Sequence, residues 1–150
     1  MIINDYFSVN NAELILRNKN QFEEIIKNLS DKKIEILNYK HKDLKNVLLD
    51  KFSNQGWALR PRVYTDKGEY IDLLSSKTGI HFQFGHHAQI YVDILKFSYM
   101  FHEGLIDIGV SVVPSDEYSY GNRVKFDSWK EKLSMYSTFL STPILLLELK

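Results

Sequence analysis

Three polar side chains of different chemistry lie close together near the middle of the sequence. Asp72 precedes a short turn, and His81 and Gln83 follow it at alternate positions of the β-prone run 79–84. Because alternate residues of a strand face the same side, His81 and Gln83 are predicted to be neighbours. If the run around Asp72 pairs with this strand through the turn at 75–78, a carboxylate, an imidazole and an amide share one patch.

Such a patch suits the hydrolysis of a phosphodiester bond. Asp72 offers a hard oxygen ligand to Mg²⁺, which usually binds one or two carboxylates and keeps several waters. The backbone carbonyl of Phe82 can complete the coordination. A bound metal lowers the pKa of a water molecule and balances the charge that develops on phosphate. Any solvated amphipathic strand also presents a polar face, so the pattern alone leaves a purely structural interpretation open.

The hydrophobic pattern predicts the elements that must position these residues. Apolar residues recur with helical spacing in four segments and alternate or cluster as in strands in five others. The segment 33–37 is too short to be assigned to a strand or a connector, and 88–101 is predicted to be a right-handed crossover. The predicted helices cover 12–29, 41–52, 88–101 and 126–136, and the predicted strands cover 57–64, 70–74, 79–84, 105–113 and 144–149. The order indicates an α/β fold with a mixed sheet.

Length and composition limit the classes of protein to be considered. The 150 residues suit one domain, 1–150, and 44% hydrophobic with 25% charged residues is an ordinary globular balance. The formal net charge is zero, so any affinity for DNA must come from a local basic face. The absence of cysteine excludes disulfides and thiolate metal sites. No signal peptide or membrane-spanning run is recognisable, so we expect a cytoplasmic protein with no membrane partner.

The residues around the polar patch resemble the BglII group of type II restriction endonucleases, a branch of the PD-(D/E)xK superfamily. That group carries an Asp and, nine positions later, a Glu-x-Gln-Phe motif. Here Asp72 is followed at the same separation by His81, Phe82, Gln83 and Phe84. The segments 91–96, 104–110 and 142–146 also resemble the group, so the likeness covers about the last 90 residues. It implies a mixed central sheet flanked by helices and metal-dependent cleavage of double-stranded DNA at a short palindromic site.

The clearest departure from the group is His81, which stands where the group has its catalytic Glu. The resemblance implies that Asp72 is the metal ligand and Gln83 the third motif residue, while His81 must replace a carboxylate. His81 can bind a softer divalent ion such as Mn²⁺, Co²⁺ or Ni²⁺, or serve as general base near neutral pH. It can also leave a weak metal site and a slow or inactive enzyme. Glu69 and Glu23 are either substitute carboxylates or solvated surface charges.

Residues able to contact DNA are predicted in three places. Two arginines flank a proline before the Asp72 strand and form a positive edge with Lys67. Two histidines follow a glycine at the start of the crossover helix, where capping is an equally good explanation. The polar loop 115–125 carries an asparagine suited to adenine and an arginine suited to guanine, although an exposed loop without a role has the same composition. These predicted DNA contacts are Arg60, Arg62, His86, His87, Asn122 and Arg123.

The resemblance also has consequences for partners and for function. A two-fold protein matches a two-fold DNA site, so a homodimer is implied. A restriction enzyme also needs a cognate DNA methyltransferase to protect the host's own DNA. Two other functions stay open: a DNA-binding protein that no longer cleaves because the Glu is missing, and a structural protein that keeps only the fold.

Overall fold

A six-stranded mixed sheet forms the centre of the computed structural model, which describes residues 1–64, 68–118 and 121–150. The strand order is β1-β6-β5-β4-β3-β2, in which β5 runs parallel to β4 and β6 and the other pairs are antiparallel. The strands are β1 Ile3–Val9, β2 Ala58–Leu59, β3 Leu73–Ser75, β4 Thr78–Phe82, β5 Ile108–Pro114 and β6 Ile144–Leu149. The helices are α1 Ala12–Asn18, α2 Phe22–Leu29, α3 His41–Ser53, α4 Gln89–His102 and α5 Phe126–Tyr136.

Helices cover both faces of the sheet. The apolar residues of α1, α2 and α3 pack with Ile80 and Val110 on one face, and those of α4 and α5 pack with Val113 and Leu146 on the other. β5 and β6 are therefore buried along their whole length, as interior strands of such sheets are. The predicted α/β class and mixed sheet are confirmed. Within the described ranges, no helix is both long and apolar enough to cross a membrane.

The hairpin predicted to carry the polar patch is present. β3 and β4 pair with Leu73 opposite Ile80 and Ser75 opposite Thr78. The two residues that join them, 76 and 77, have φ angles of 46° and 60°. Positive φ at both positions is the geometry of a tight two-residue turn that matches the twist of the flanking strands. The prediction for 79–84 is close to the observed β4, whereas only Ala58–Leu59 of the predicted strand 57–64 is in the ladder.

One prediction about the first 30 residues is wrong, and one element there was missed. The predicted helix 12–29 is divided into α1 and α2, because Asn20 adopts a φ of 58° between them. Asparagine tolerates this left-handed conformation, which ends a helix. β1 was not predicted at all. It is an edge strand that pairs with β6 in the described sheet, and most of its side chains are at least partly exposed, so it shows no apolar alternation.

The segment 33–37, left open from sequence, leads into a short 3-10 turn at Ile36–Asn38 rather than a strand. Lys67, predicted as part of a positive edge, lies in 65–67, outside the described residues. Residues 119–120 of the predicted recognition loop 115–125 also lie outside them.

Candidate active site

Asp72 lies immediately before β3, at the centre of a set of polar contacts. The ladder holds its backbone on both sides, because its N–H donates to the carbonyl of Ile80 and its carbonyl accepts from the N–H of Arg60. The carboxylate is completely buried. Its Oδ2 accepts a hydrogen bond of 2.7 Å from the backbone N–H of Phe82 and lies 2.9 Å from Nδ1 of His81. The antiparallel hairpin thus brings together the carboxylate and the imidazole that the sequence singled out.

His81 is held between two carboxylates. Its Nδ1 faces Asp72, and its Nε2 lies 3.4 Å from Oδ1 of Asp93 on α4. The contact to Asp72 is short, but its angle is not that of a regular hydrogen bond. An imidazole with an acidic group at each nitrogen is fixed in ring orientation, because rotation would lose both contacts.

Gln83 joins the same group through Asp93. Its Nε2 donates to Oδ2 of Asp93, and its Oε1 accepts from the backbone N–H of Gly85 at 3.0 Å. Asp93 was not predicted as a site residue. A signal was available, because this acid lies within the apolar stripe of α4 formed by Ile90, Ile94 and Phe97, where a charge needs a buried partner.

Lys45 of α3 completes the site from the other side. Its Nζ lies 2.9 Å from Oδ1 of Asp72 and donates a weaker hydrogen bond of 3.4 Å to the carbonyl of Phe82. This lysine was also missed by the sequence reasoning. It shares a helix face with the buried residues Leu48, Leu49 and Phe52, so its position on an inward stripe was the available signal.

The pKa values of Asp72 and Asp93 are shifted in opposite directions. For Asp72, burial acts to raise the pKa, but the contacts with His81 and Lys45 outweigh it and hold the pKa below its usual value. For Asp93, burial is the largest effect and raises the pKa above its usual value, despite the opposing contacts with His81, Gln83 and Lys96. Asp72 is therefore the stable anion of the pair, and Asp93 binds a proton more readily.

The solvated polar face of the purely structural interpretation is not observed. Asp72 is 0% exposed and Gln83 5%, while the side chain of His81 is 12% exposed. The reason is tertiary: α4 lies over this face of the sheet and α3 reaches the hairpin from the opposite side. The two substitute carboxylates considered from sequence, Glu69 and Glu23, instead form ion pairs with lysine and arginine side chains at the surface.

Four of the six predicted DNA-contacting residues come together beyond the end of β4. The backbone of His86 pairs with that of Arg123, and the N–H of His87 donates to the carbonyl of Asn122. His41 joins them, because its Nδ1 lies 2.7 Å from the carbonyl of Phe84 and its Nε2 lies 3.2 Å from Arg123. We call His41, His86, His87, Asn122 and Arg123 the basic rim. One of its members, His86, follows Gln83 by three residues along the chain.

The other two predicted contacts lie elsewhere. The guanidinium of Arg60 lies over the ring of Tyr70 at 5.8 Å, and the backbone of Arg62 pairs with that of Tyr70. Both arginines are therefore beside the hairpin rather than in the basic rim. Their role in DNA binding stays a prediction, as does that of the rim.

Comparisons with known proteins agree with this architecture. A sequence profile described as "Restriction endonuclease BglII/BglIII" matches residues 4–149. The solved structure of restriction endonuclease BglII complexed with a DNA 16-mer is similar with a TM-score of 0.83 and 14% identity, over 99% of this chain and 76% of that chain. The structure of free BglII has a TM-score of 0.78 and 19% identity, over 100% of this chain and 80% of that one. No curated protein matches the sequence.

The mixed sheet between two helical layers, with a buried aspartate in the hairpin of β3 and β4, defines a restriction-endonuclease-like fold. The chain belongs to the BglII/BglIII restriction endonuclease family, whose profile spans nearly all of it. The match begins at residue 4, so the similarity extends well beyond the last 90 residues, which carry the motif.

Restriction endonucleases of this kind generally use divalent metal ions, which need oxygen or nitrogen ligands from the protein. In the described part of the chain, no three His, Asp or Glu side chains are arranged as a metal site. Two hard oxygen atoms, Oδ1 of Asp72 and the carbonyl oxygen of Phe82, are close enough to bind the same cation. The ammonium of Lys45 already contacts both of them. Oδ1 of Asp72 is buried and receives no well-angled hydrogen bond. This donor set fits an ion such as Mg²⁺ that binds one carboxylate and keeps most of its waters.

Proposed function

We propose that this protein is a metal-dependent type II restriction endonuclease that hydrolyses double-stranded DNA at a short palindromic site. The observation that carries the proposal is the contact set of Asp72. Its carboxylate has a pKa below the usual value and is fixed through Oδ2 by the backbone of Phe82 and by His81, while Oδ1 already contacts a cation, the ammonium of Lys45. Family membership supports the same reaction class.

In this proposal Oδ1 of Asp72 and the carbonyl of Phe82 hold a divalent ion, with Mg²⁺ as the first choice and Mn²⁺ as the alternative. When bound, the ion activates a water molecule and balances charge on the phosphate. His81 orients Asp72 through Nδ1 and is itself oriented by Asp93. Gln83 is fixed by Asp93 and Gly85, so it can position phosphate or water. Direct metal binding by His81 stays a prediction.

The surface next to the site supports DNA as the substrate. The basic rim presents imidazole, guanidinium and amide groups that can bind phosphate or base edges. Asn122 and Arg123 are exposed there, and the rim begins where β4 ends. Burial lowers the pKa of His41, so the positive charge of the rim is that of the Arg123 guanidinium, and local charge of this kind allows DNA binding despite a net charge of zero. The neighbour in complex with a DNA 16-mer, which shares the fold, is consistent with this assignment.

We also propose that the enzyme acts as a homodimer. An exposed apolar patch lies between α4 and the end of α5, where the side chains of Leu95 and Phe139 are 66% and 86% exposed. Tyr91, Ile94, Tyr136 and Leu140 line the same patch. Contiguous apolar surface of this kind marks an interaction site. A second copy bound there would give the two-fold symmetry that a palindrome requires.

The reaction is tested by digestion of plasmid and bacteriophage DNA with Mg²⁺, with Mn²⁺ and with a chelator. We expect discrete fragments with a metal ion and none with the chelator, and sequenced fragment ends that share a palindrome. Asp72→Ala should lower the cleavage rate by about 100-fold or more, because a metal ion contributes several kcal/mol of transition-state stabilisation. Asp31→Ala, which removes a surface carboxylate paired with Lys51, is the matched control and should cleave normally.

The competing functions give different results in the same assay. Retarded migration of a DNA duplex without cleavage under any metal condition would indicate a DNA-binding protein and refute the nuclease. Absence of both cleavage and DNA binding would leave only the fold in common with the family. A methyltransferase gene beside the gene for this protein is expected if the proposal is right, because host DNA must be protected.

A further inference from the structure

Lys45 lies where a metal ion would be bound. Its ammonium contacts Oδ1 of Asp72 at 2.9 Å and the carbonyl of Phe82 at 3.4 Å. These are the two oxygen atoms to which the proposed function assigns the metal ion. His81 and the N–H of Phe82 bind the other carboxylate oxygen, Oδ2, so they leave this position free for a cation.

The burial of Asp72 explains why a cation is needed there even without metal. An ionised carboxylate with no exposure to water is unstable unless a positive charge or several hydrogen-bond donors compensate it. His81 compensates only one side of the carboxylate. Lys45 brings a positive charge to the other side, and its side chain is 25% exposed, so the ammonium has a path to water if it is displaced.

We propose that Lys45 is a resident cation that competes with the divalent ion for Asp72 and Phe82. Two cations cannot share the same pair of oxygen atoms, because Mg²⁺ or Mn²⁺ binds oxygen at about 2.1 Å and would repel an ammonium held beside it. The ion therefore enters only when the ammonium of Lys45 moves towards solvent. Metal affinity in the DNA-free protein is set by this exchange. The inference rests on the metal site of the proposed function, but it concerns binding rather than cleavage.

Calorimetric titration of the DNA-free protein with Mn²⁺ tests the competition directly. Lys45→Met removes the charge and keeps most of the side-chain length, and it should bind Mn²⁺ roughly tenfold more tightly than wild type because a like charge has been removed. Lys45→Gln also removes the charge but keeps a hydrogen-bond donor, and it should show the same gain in affinity. It replaces Lys45→Met in the test if that variant folds poorly. Circular dichroism confirms that each variant is folded.

Lys51→Met is the matched control. Lys51 lies on the same helix, forms an ion pair of 2.7 Å with Asp31 and has a side chain 29% exposed, close to that of Lys45. Its substitution should leave the affinity for Mn²⁺ unchanged. The double variant Lys45→Met with Asp72→Asn should lose the gain, because the carboxylate that binds the ion is absent.

The possible results separate this inference from the proposed function. Tighter Mn²⁺ binding by folded Lys45 variants supports the competition, even if no variant cleaves DNA and the nuclease proposal fails. Equal or weaker binding by both Lys45 variants would overturn the competition, even if the wild-type protein cleaves DNA. Absence of Mn²⁺ binding in every variant would also overturn it, because there would be no ion for Lys45 to displace.

Discussion

Replacement of Asp72 by asparagine isolates the electrostatic contribution of the buried carboxylate. Asp72→Asn keeps an oxygen that can accept from the N–H of Phe82, but it removes the charge that Lys45 and His81 contact at 2.9 Å. Removing one partner of a buried ion pair costs about 3–5 kcal/mol. Because the ammonium of Lys45 can turn to water in the variant, we take the lower end of this range of energies. We expect the free energy of unfolding to fall by about 3 kcal/mol at pH 7.

The same variant makes a prediction about pH. The pKa of Asp72 is lower in the folded protein than in the unfolded chain. Its contribution is therefore fully present above the unfolded pKa of about 3.9 and is lost as the pH falls through the folded pKa. The difference in stability between wild type and Asp72→Asn should be constant from pH 7 to about pH 5 and should narrow below about pH 4.

Urea unfolding followed by tryptophan fluorescence measures both effects, because Trp57 and Trp129 are buried in the two apolar layers. Asp31→Asn is the control, since Asp31 also pairs with a lysine of α3 but at the surface, where water screens the charge. It should change the stability little. If Asp72→Asn were as stable as wild type at pH 7, or if the difference in stability between them stayed the same below pH 4, the ion-pair reasoning would be refuted.

Three further predictions concern other parts of the structure. Asp93→Asn should be at least as stable as wild type at pH 7. The pKa of Asp93 is raised in the folded protein, so its carboxyl group stabilises the fold only at low pH and this effect is lost as the pH rises. A clear loss of stability in urea unfolding would contradict this. Gly109→Ala should cost about 1–3 kcal/mol, because a Cβ there would lie 2.5 Å from Cγ of the buried Phe97. At Gly68 an added Cβ meets no atom of the described residues within 4 Å, so Gly68→Ala serves as the control in the same thermal unfolding assay. Phe139→Glu should convert the proposed dimer to monomer in sedimentation velocity without unfolding it, and a dimer that persists would place the interface elsewhere.

The sequence by itself determined the parts of this protein that depend on local pattern. The continuous apolar run at Ile144–Leu149 predicted β6 with its observed bounds, and the helical spacing predicted α3, α4 and α5 within one or two residues. The pairing of Asp72 with the strand of His81 was also predictable, because a two-residue turn leaves one close register for the hairpin. β1 and the break at Asn20 were missed because an edge strand and a single left-handed residue leave little hydrophobic signal.

Only the tertiary structure decided how charge is distributed in the site. Lys45 and Asp93 are distant in sequence from Asp72, and nothing in their local pattern shows which buried group they will meet. Packing of α3 and α4 against the sheet brings Lys45 to Asp72 and Asp93 to His81, and it also buries the polar patch of the hairpin. Burial strengthens every one of these charge interactions, and burial is a property of the assembled layers rather than of any single segment.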